Sequence, residues 1–443
     1  MTTAAPPAPA GRPSNVDRLL RVFTDVRPGE GTVAALMLLS VFILLIGYYV
    51  LKTVREPLIL ASGRAELASY SSAGQAVVLI GFIPLFGWLA SRVPRLKLIV
   101  GTIGFFIVCI ELFYLAVAAH VPYVGVAFYV WLGIFNNATI ALFWSFANDV
   151  YSREAGARLF PMIAIGATAG SALGALVAGK LFALGVKGHQ MFHITAALLI
   201  VHIALYVVVD RRQRGTGAVR VDSPPPLPGP GGFALTFRNP YIRLIALLLV
   251  VLNLVNSNGE YLVRRYATEA ALGTADKDAF LGSFFGQYQF WVAVGALVLQ
   301  VFVVSRIVKH LGIVGVVLIP AFISLGNYGL VAAGAAFAIF RWTKTAENAS
   351  DYSIMNTAKQ MLWLPTTRAE KYKAKQAVDT FFVRLGDVAS AAAVFVGLTW
   401  LGLGVRGFGM MNTVLVAVWL AIAFQLLKEH RRVAGGSDVR PSR

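Results

Sequence analysis

Long apolar runs, each interrupted by a few charged residues, recur from residue 32 to residue 427. They fall at about 32–54, 70–90, 98–119, 123–150, 160–184 and 191–209. After a break they resume at about 241–263, 279–304, 313–333, 335–361, 376–403 and 410–427. Each is near the roughly 20 residues an α-helix needs to cross a bilayer. With no water in the hydrocarbon core, such runs must be helices that satisfy their own backbone hydrogen bonds. The pattern predicts an all-α polytopic membrane protein with about twelve transmembrane helices.

The break at 210–240 divides these spans six and six. It contains Arg211, Arg212, Arg214 and Arg220, then the stretch SPPPLPGPGG, which cannot form a helix. The expected organisation is an N-terminal tail (1–31), a six-helix bundle (32–209), a linker (210–240), a second six-helix bundle (241–427) and a C-terminal tail (428–443). The two halves also resemble each other. Gly47-Tyr-Tyr-Val-Leu-Lys52 matches Gly259-Glu-Tyr-Leu-Val-Arg264, and Ser91-Arg-Val-Pro-Arg95 matches Ser305-Arg-Ile-Val-Lys309, at nearly the same offset. Such repeats build two pseudo-symmetric bundles with a site between them near mid-membrane. Basic residues concentrate in the tails, the linker and the loops near Arg92, Arg306 and Lys371, which predicts both termini in the cytoplasm. The N-terminus does not read as a cleaved signal peptide.

Charged residues inside the spans change the picture. A charge at membrane depth costs about 3 kcal/mol on insertion scales, so it faces a partner or a wet cavity. Residues 341–387 carry Arg341, Lys344, Glu347, Asp351 and Lys359, then Asp379, Arg384 and Asp387. Arg341, Lys344, Asn348, Asp351 and Lys359 recur at spacings of one helical stripe. Lys344, Glu347 and Asp351 also suit a self-neutralising ladder of neighbours one turn apart. The first span ends in Lys52, Arg55 and Glu56, and the seventh in Glu260, Arg264 and Arg265. These clusters either snorkel to water or bind an anion and form gating ion pairs. Asn137, a polar group in the fourth span, could hydrogen-bond a substrate or a neighbouring helix. The expected substrate ligands are Lys52, Arg55, Asn137, Arg264, Lys344 and Lys359. The expected gating or proton-coupling groups are Glu56, Glu260, Glu347, Asp351, Asp379, Arg384 and Asp387. Gly166, Gly170 and Gly174 are expected to let another helix approach closely.

Composition agrees. The chain is 57% hydrophobic and 14% charged, where a soluble protein carries roughly 25%. The net charge of +18 reads as the imprint of membrane sidedness rather than of nucleic-acid binding. A single cysteine, Cys109, excludes an intrachain disulfide and a Cys-based zinc site. The histidines have no metal-ligand spacing. There is no phosphate-binding P-loop signature, and Gly402, Gly404 and Gly407 spell G-x-G-x-x-G in a turn with no strand before it. No cofactor and no enzymatic constellation are expected.

The loop Gly87-Trp-Leu-Ala-Ser-Arg92-Val-Pro-Arg95-Leu-Lys97 resembles the G-x-L-A-D-R-x-G-R loop of the major facilitator superfamily. A further resemblance covers most of the chain. Phe143-Trp-Ser-Phe-Ala-Asn148, Tyr352-Ser353 with Thr357-Ala-Lys359-Gln-Met361 and Pro365, and Lys375-Gln-Ala-Val-Asp379 with Arg384-Leu-Gly386 are similar to the ATP/ADP translocases of plastids and intracellular bacteria. The resemblance implies a major-facilitator-like secondary transporter that exchanges nucleotides by alternating access. It also implies a substrate-handling role for Lys52, and motif positions for Lys359 and Asp379. The chain departs from the family near Leu132, where an acidic residue is expected. Asp351 and Asp387 stand where basic residues are expected. For an anionic substrate, each of those two changes trades attraction for repulsion. The expected partners are a small anionic solute, nucleotide by resemblance, and the lipid bilayer, for a monomer in a bacterial inner membrane. The alternative is a proton-coupled carrier or exporter of another organic solute.

Overall fold

In the computed structural model, residues 14–21, 24–214 and 230–437 are described. Among the described residues, ten helices are long and apolar enough to cross a membrane, one of them the stretch from 277 to 332. That stretch is two helices joined across a kink at Gly312, which adopts φ 57 and ψ −145. Only glycine takes such a conformation without strain. Counting both, and adding the charged helix over 337–362, gives twelve spans.

In chain order the helices are α1 (Asn15–Leu20), α2 (Gly31–Leu60), α3 (Glu66–Ala90), α4 (Arg95–Ala118), α5 (Val124–Val150), α6 (Arg153–Ala183) and α7 (Met191–Arg214). The second half holds α8 (Gly232–Arg238), α9 (Pro240–Ala271), α10 (Lys277–Val298), α11 (Val304–Ala332), α12 (Phe337–Ser350), α13 (Asn356–Leu362), α14 (Lys375–Ala377), α15 (Val383–Thr399) and α16 (Val405–Ser437). Single π-helical turns join α10 to α11, α12 to α13 and α14 to α15. Such turns often mark functional positions in helices.

Several boundaries differ from expectation, mostly toward longer helices, although the expected span 376–403 ends already at Thr399. The charged string Lys52, Arg55, Glu56, Pro57 does not end the first span, since α2 runs on to Leu60. Arg306, Lys309 and His310 lie on helix rather than in a loop, and the chain turns only at Gly312. Lys371, Lys373 and Lys375 are helical as well. Charge does not terminate a helix; lost backbone hydrogen bonding does, and each of these charges has somewhere to go. The expected tail contains α1, and the expected linker keeps helix at both ends, to Arg214 and from Gly232. Most of SPPPLPGPGG and Arg220, with Arg12 of the tail, lie outside the described residues.

Two separate hydrophobic cores form. One is built from residues of α2 and α4–α7, around Phe128, Phe135, Phe143 and Phe192. The other is centred on α9–α16, around Tyr241, Phe285, Tyr328 and Trp419. Close approach in the first bundle depends on the glycines of α6. A Cβ at Gly166, Gly170 or Gly174 would collide with the backbone carbonyl oxygens of Leu38, Phe42 and Ile46 of α2. In the second bundle, side-chain amides hold the helices together. Ser390 donates to Asn258 (2.7 Å), and Asn258 donates to Asn412 (3.0 Å), joining α15, α9 and α16. Across the halves, α6 packs on α10 and α3 on α15. The tightest point is Gly179 against Gly286, where two backbones touch.

At the N-terminal end, Asp17 of α1 accepts from the backbone N–H groups of Gly31 (2.8 Å), Gly29 (3.2 Å) and Ser14 (2.7 Å). This ties α1 to the start of α2. Burial pushes the Asp17 carboxyl up, but these N–H groups and the Ser14 hydroxyl outweigh it and hold it at about 2.

Candidate functional site

A cavity of about 530 Å³ lies between the two halves. Pockets of this size suit organic ligands. Its walls come from α2, α5 and α6 on one side, and α9, α10, α12 and the π turn with α13 on the other. The halves meet at the end away from the N-terminus, where Gly179 and Gly286 touch and Glu56 reaches Arg264. Toward the N-terminal end, Ala164, Leu297, Gln300 and Asn356 line the cavity.

The closed end is built on Glu56, 2% exposed. Its carboxylate accepts from Arg264 Nε at 2.8 Å and Nη2 at 3.3 Å, and from Arg55 Nε at 3.0 Å. Arg264 comes from the other half, so one carboxylate bridges α2 and α9 through paired, charge-assisted bonds. Arg55 also lies 4.3 Å over the ring of Tyr129.

Two charged groups on the wall are not consumed this way. Among the described residues, no carboxylate lies within 4.0 Å of Lys52; its Nζ sits 4.9 Å over the ring of Tyr49. No cation lies within that distance of Glu260, which accepts from Asn348 (2.7 Å) and from the Tyr288 hydroxyl (3.1 Å). Lys52 and Arg264 are equivalent positions of the repeat, and both reach the same hollow. Five charged side chains line it in all, the cations Lys52, Arg55 and Arg264 against the carboxylates Glu56 and Glu260. The rest of the wall is aromatic or amide, with Tyr49, Tyr129, Tyr288, Tyr352, Asn256 and Gln289 among it. Gln289 Oε1 and Asn348 Oδ1 are buried with no hydrogen-bond partner. An unmet buried acceptor costs about 1–3 kcal/mol.

The other residues named from sequence lie off this cavity. Lys344 is fully buried in the second bundle and donates to Asn256 Oδ1 (2.8 Å), Tyr328 (3.3 Å) and Glu347 (3.2 Å). Those three partners use all three of its protons. It fixes Asn256, which lines the cavity, and a Cβ at Gly259 would strike its Nζ. Glu347 is closed by Lys344, Tyr328 and Asn327. Asp351 and Lys359 pair at 3.6 Å across the π turn. Asp387 accepts from Asn253 and Ser257 (2.9 Å each) and from Arg384 (3.2 Å). Asp379 pairs with Lys375 (2.6 Å) on a more exposed face. Asn137 donates to Gly133 of its own helix (2.8 Å). Among the described residues there is no group of acidic, His or Cys side chains fit to hold a metal.

The cavity residues not named as site candidates from sequence are chiefly Tyr49, Tyr129, Asn256, Tyr288, Gln289 and Asn356, with Tyr352 quoted only as part of the translocase-like motif. Asn256, Gln289 and Asn356 carried a usable signal, an amide inside an apolar span. The tyrosines did not, since aromatic residues at helical spacing fill cores as often as sites.

No protein-family model matches the chain. Its sequence is similar to ADP,ATP carrier protein 1 of Chlamydia pneumoniae, 23% identical over 350 residues covering 68% of this chain and 66% of the carrier. The Chlamydia muridarum protein of the same name is 22% identical over 299 residues, covering 59% and 56%. The chain thus matches less than two thirds of the length of these relatives. Among solved structures, the nucleoside transporter NupG superposes with a TM-score of 0.63 at 14% identity, covering 89% of this chain and 98% of NupG. A bacterial homologue of the iron transporter ferroportin gives 0.66 at 12% identity, covering 89% and 98%. The chain therefore has the major-facilitator fold and is a multi-pass membrane protein.

Proposed function

We propose that this chain is a secondary transporter that moves a nucleotide or closely related anion across a membrane by alternating access. The observation that carries the reading is the Glu56–Arg264 bond. It joins the two bundles at one end of a cavity lined by Lys52, Tyr49, Tyr288 and Asn348. Opening that bond while the N-terminal end closes would present the same cavity to the other side, which is what a carrier requires. Lys52, Arg55 and Arg264 supply attraction for an anion, and the tyrosines supply faces for a planar ring. Similarity to the Chlamydia ADP,ATP carriers supports a nucleotide as cargo.

On this reading Lys52, Arg55 and Arg264 meet the substrate, and Glu56 and Glu260 form the gate and its counter-charge. Lys344 positions Asn256. Lys359, Glu347, Asp351, Arg384 and Asp387 hold the second bundle's interior, with Asp379 on its N-terminal side and Asn137 stabilising α5. The protein works as a monomer with no enzymatic step. It sits in a bacterial inner membrane with both termini in the cytoplasm, so the state described here opens inward. Exchange or an ion gradient drives it, without a cofactor.

Counterflow of radiolabelled ADP or ATP into proteoliposomes is the test. Flux that saturates and is lost in Lys52→Ala supports the reading; no flux with any nucleotide, in folded protein, ends it. A second reading, a proton-coupled carrier of another organic solute, is favoured by Glu260, a carboxylate on the cavity wall with no cation within 4.0 Å among the described residues. Uptake that follows a pH gradient and ignores nucleotides would select it.

A further inference from the structure

The charge available to a ligand is smaller than the number of basic residues in the chain suggests. Of three cations on the cavity wall, Arg55 and Arg264 share Glu56. Glu260 stands on the same wall as Lys52, which leaves a net charge of one positive unit. Lys359, Arg384 and Lys344, deeper in the second bundle, add little attraction because each already has a carboxylate. Asp351 takes Lys359, Asp387 takes Arg384, and Glu347 takes Lys344. A ligand with three or four negative charges would enter an enclosure able to balance only a small part of them, where low dielectric makes each excess charge count. The neutral part of the wall asks for something different. Gln289 Oε1 and Asn348 Oδ1 are buried acceptors without a donor, and each belongs to a residue about 7% exposed. The amide of Asn348 is oriented by chemistry: its N–H₂ must face the Glu260 carboxylate, so its oxygen is the free end. Neither oxygen has surface open to the cavity in this state, so a ligand's amino or hydroxyl groups would reach them only with a turn of each side chain.

We propose that this cavity selects a ligand with no more than about two negative charges and a donor-bearing ring or sugar body, a nucleoside monophosphate in preference to a di- or triphosphate. A phosphomonoester carries about −1.5 to −2 at neutral pH, and each further phosphate adds roughly one more. The inference rests on the nucleotide reading above and narrows it.

The test uses the full chain purified in detergent, without divalent cations, and compares adenosine, AMP, ADP and ATP by calorimetry or thermal shift. The expected order is AMP tightest, with ATP weaker by about tenfold, as the unbalanced charge requires. Adenosine should also bind more weakly than AMP, because it leaves Lys52 without an anion. Glu260→Gln raises the cavity by one positive unit and should narrow the gap between AMP and ATP by about threefold or more. Binding of ATP as tightly as AMP, or a gap unmoved by Glu260→Gln, overturns the charge limit and leaves a nucleotide carrier standing. No binding of any of the four by folded protein overturns the nucleotide reading, and this inference with it.

Discussion

Glu56, 2% exposed, accepts from two guanidinium groups. A buried pair of this kind contributes little over an apolar substitute, but breaking it leaves charge stranded. Glu56→Gln leaves Arg55 and Arg264 facing each other without an anion. The variant should lose about 3 kcal/mol of stability, read as a lowered melting temperature in detergent. An unchanged melt would mean the pair does not close the structure. Asp17 makes a second prediction at this scale. Its carboxyl sits at about 2 when folded against an ordinary 3.8, so the charged form is favoured by folding. The stability it adds is complete above about pH 4 and is lost as pH falls toward 2. Asp17→Asn should loosen α1 and residues 24–30 at neutral pH, seen as faster amide exchange there. In the unaltered chain the same loosening should come only below pH 4.

At the scale of elements, the α2–α6 contact is the tightest in the first bundle because three glycines lie one turn apart along α6. Gly170→Leu would press its side chain on the Phe42 backbone, which cannot yield as a side-chain tip can. Overpacking of this kind costs about 1–3 kcal/mol, so folded yield and melting temperature should both drop. Leucine at Gly101, where a Cβ meets nothing within 4 Å, should be tolerated. That α6 would pack this way was readable from spacing alone. That α12 and α13 form one helix broken by a π turn was not. The turn at Asp351–Met355 shifts the phase of the stripe, so Lys359 reaches back two turns to Asp351 and no uniform ladder forms.

For the whole molecule, the prediction concerns which side is open. Cys109 is the only cysteine, so Cys109→Ser gives a clean background. Asn356→Cys in that background should react with a bulky hydrophilic thiol reagent applied from the N-terminal side. Val54→Cys, at a fully buried position of α2, should not react from either side. Labelling of the residue 356 cysteine from the opposite side only would reverse the assigned opening.

Helix number and the doubled plan were legible in the residues themselves. They follow from local rules, a run of about 20 apolar side chains and a period of 3.6, that need no knowledge of neighbours. Lys52, Arg55, Glu56, Glu260 and Arg264 could be named as charges that require an explanation, but so could Lys344, Glu347 and Asp387, and nothing local separates the two groups. What separates them is how far each helix is rotated about its own axis and what it then meets. Glu56 finds Arg264 across 208 positions of sequence, while Lys344 spends its three protons inside its own bundle. Partners that distant are chosen by packing of the whole chain, and packing therefore decided which charges face the hollow and how much of their field a ligand would feel.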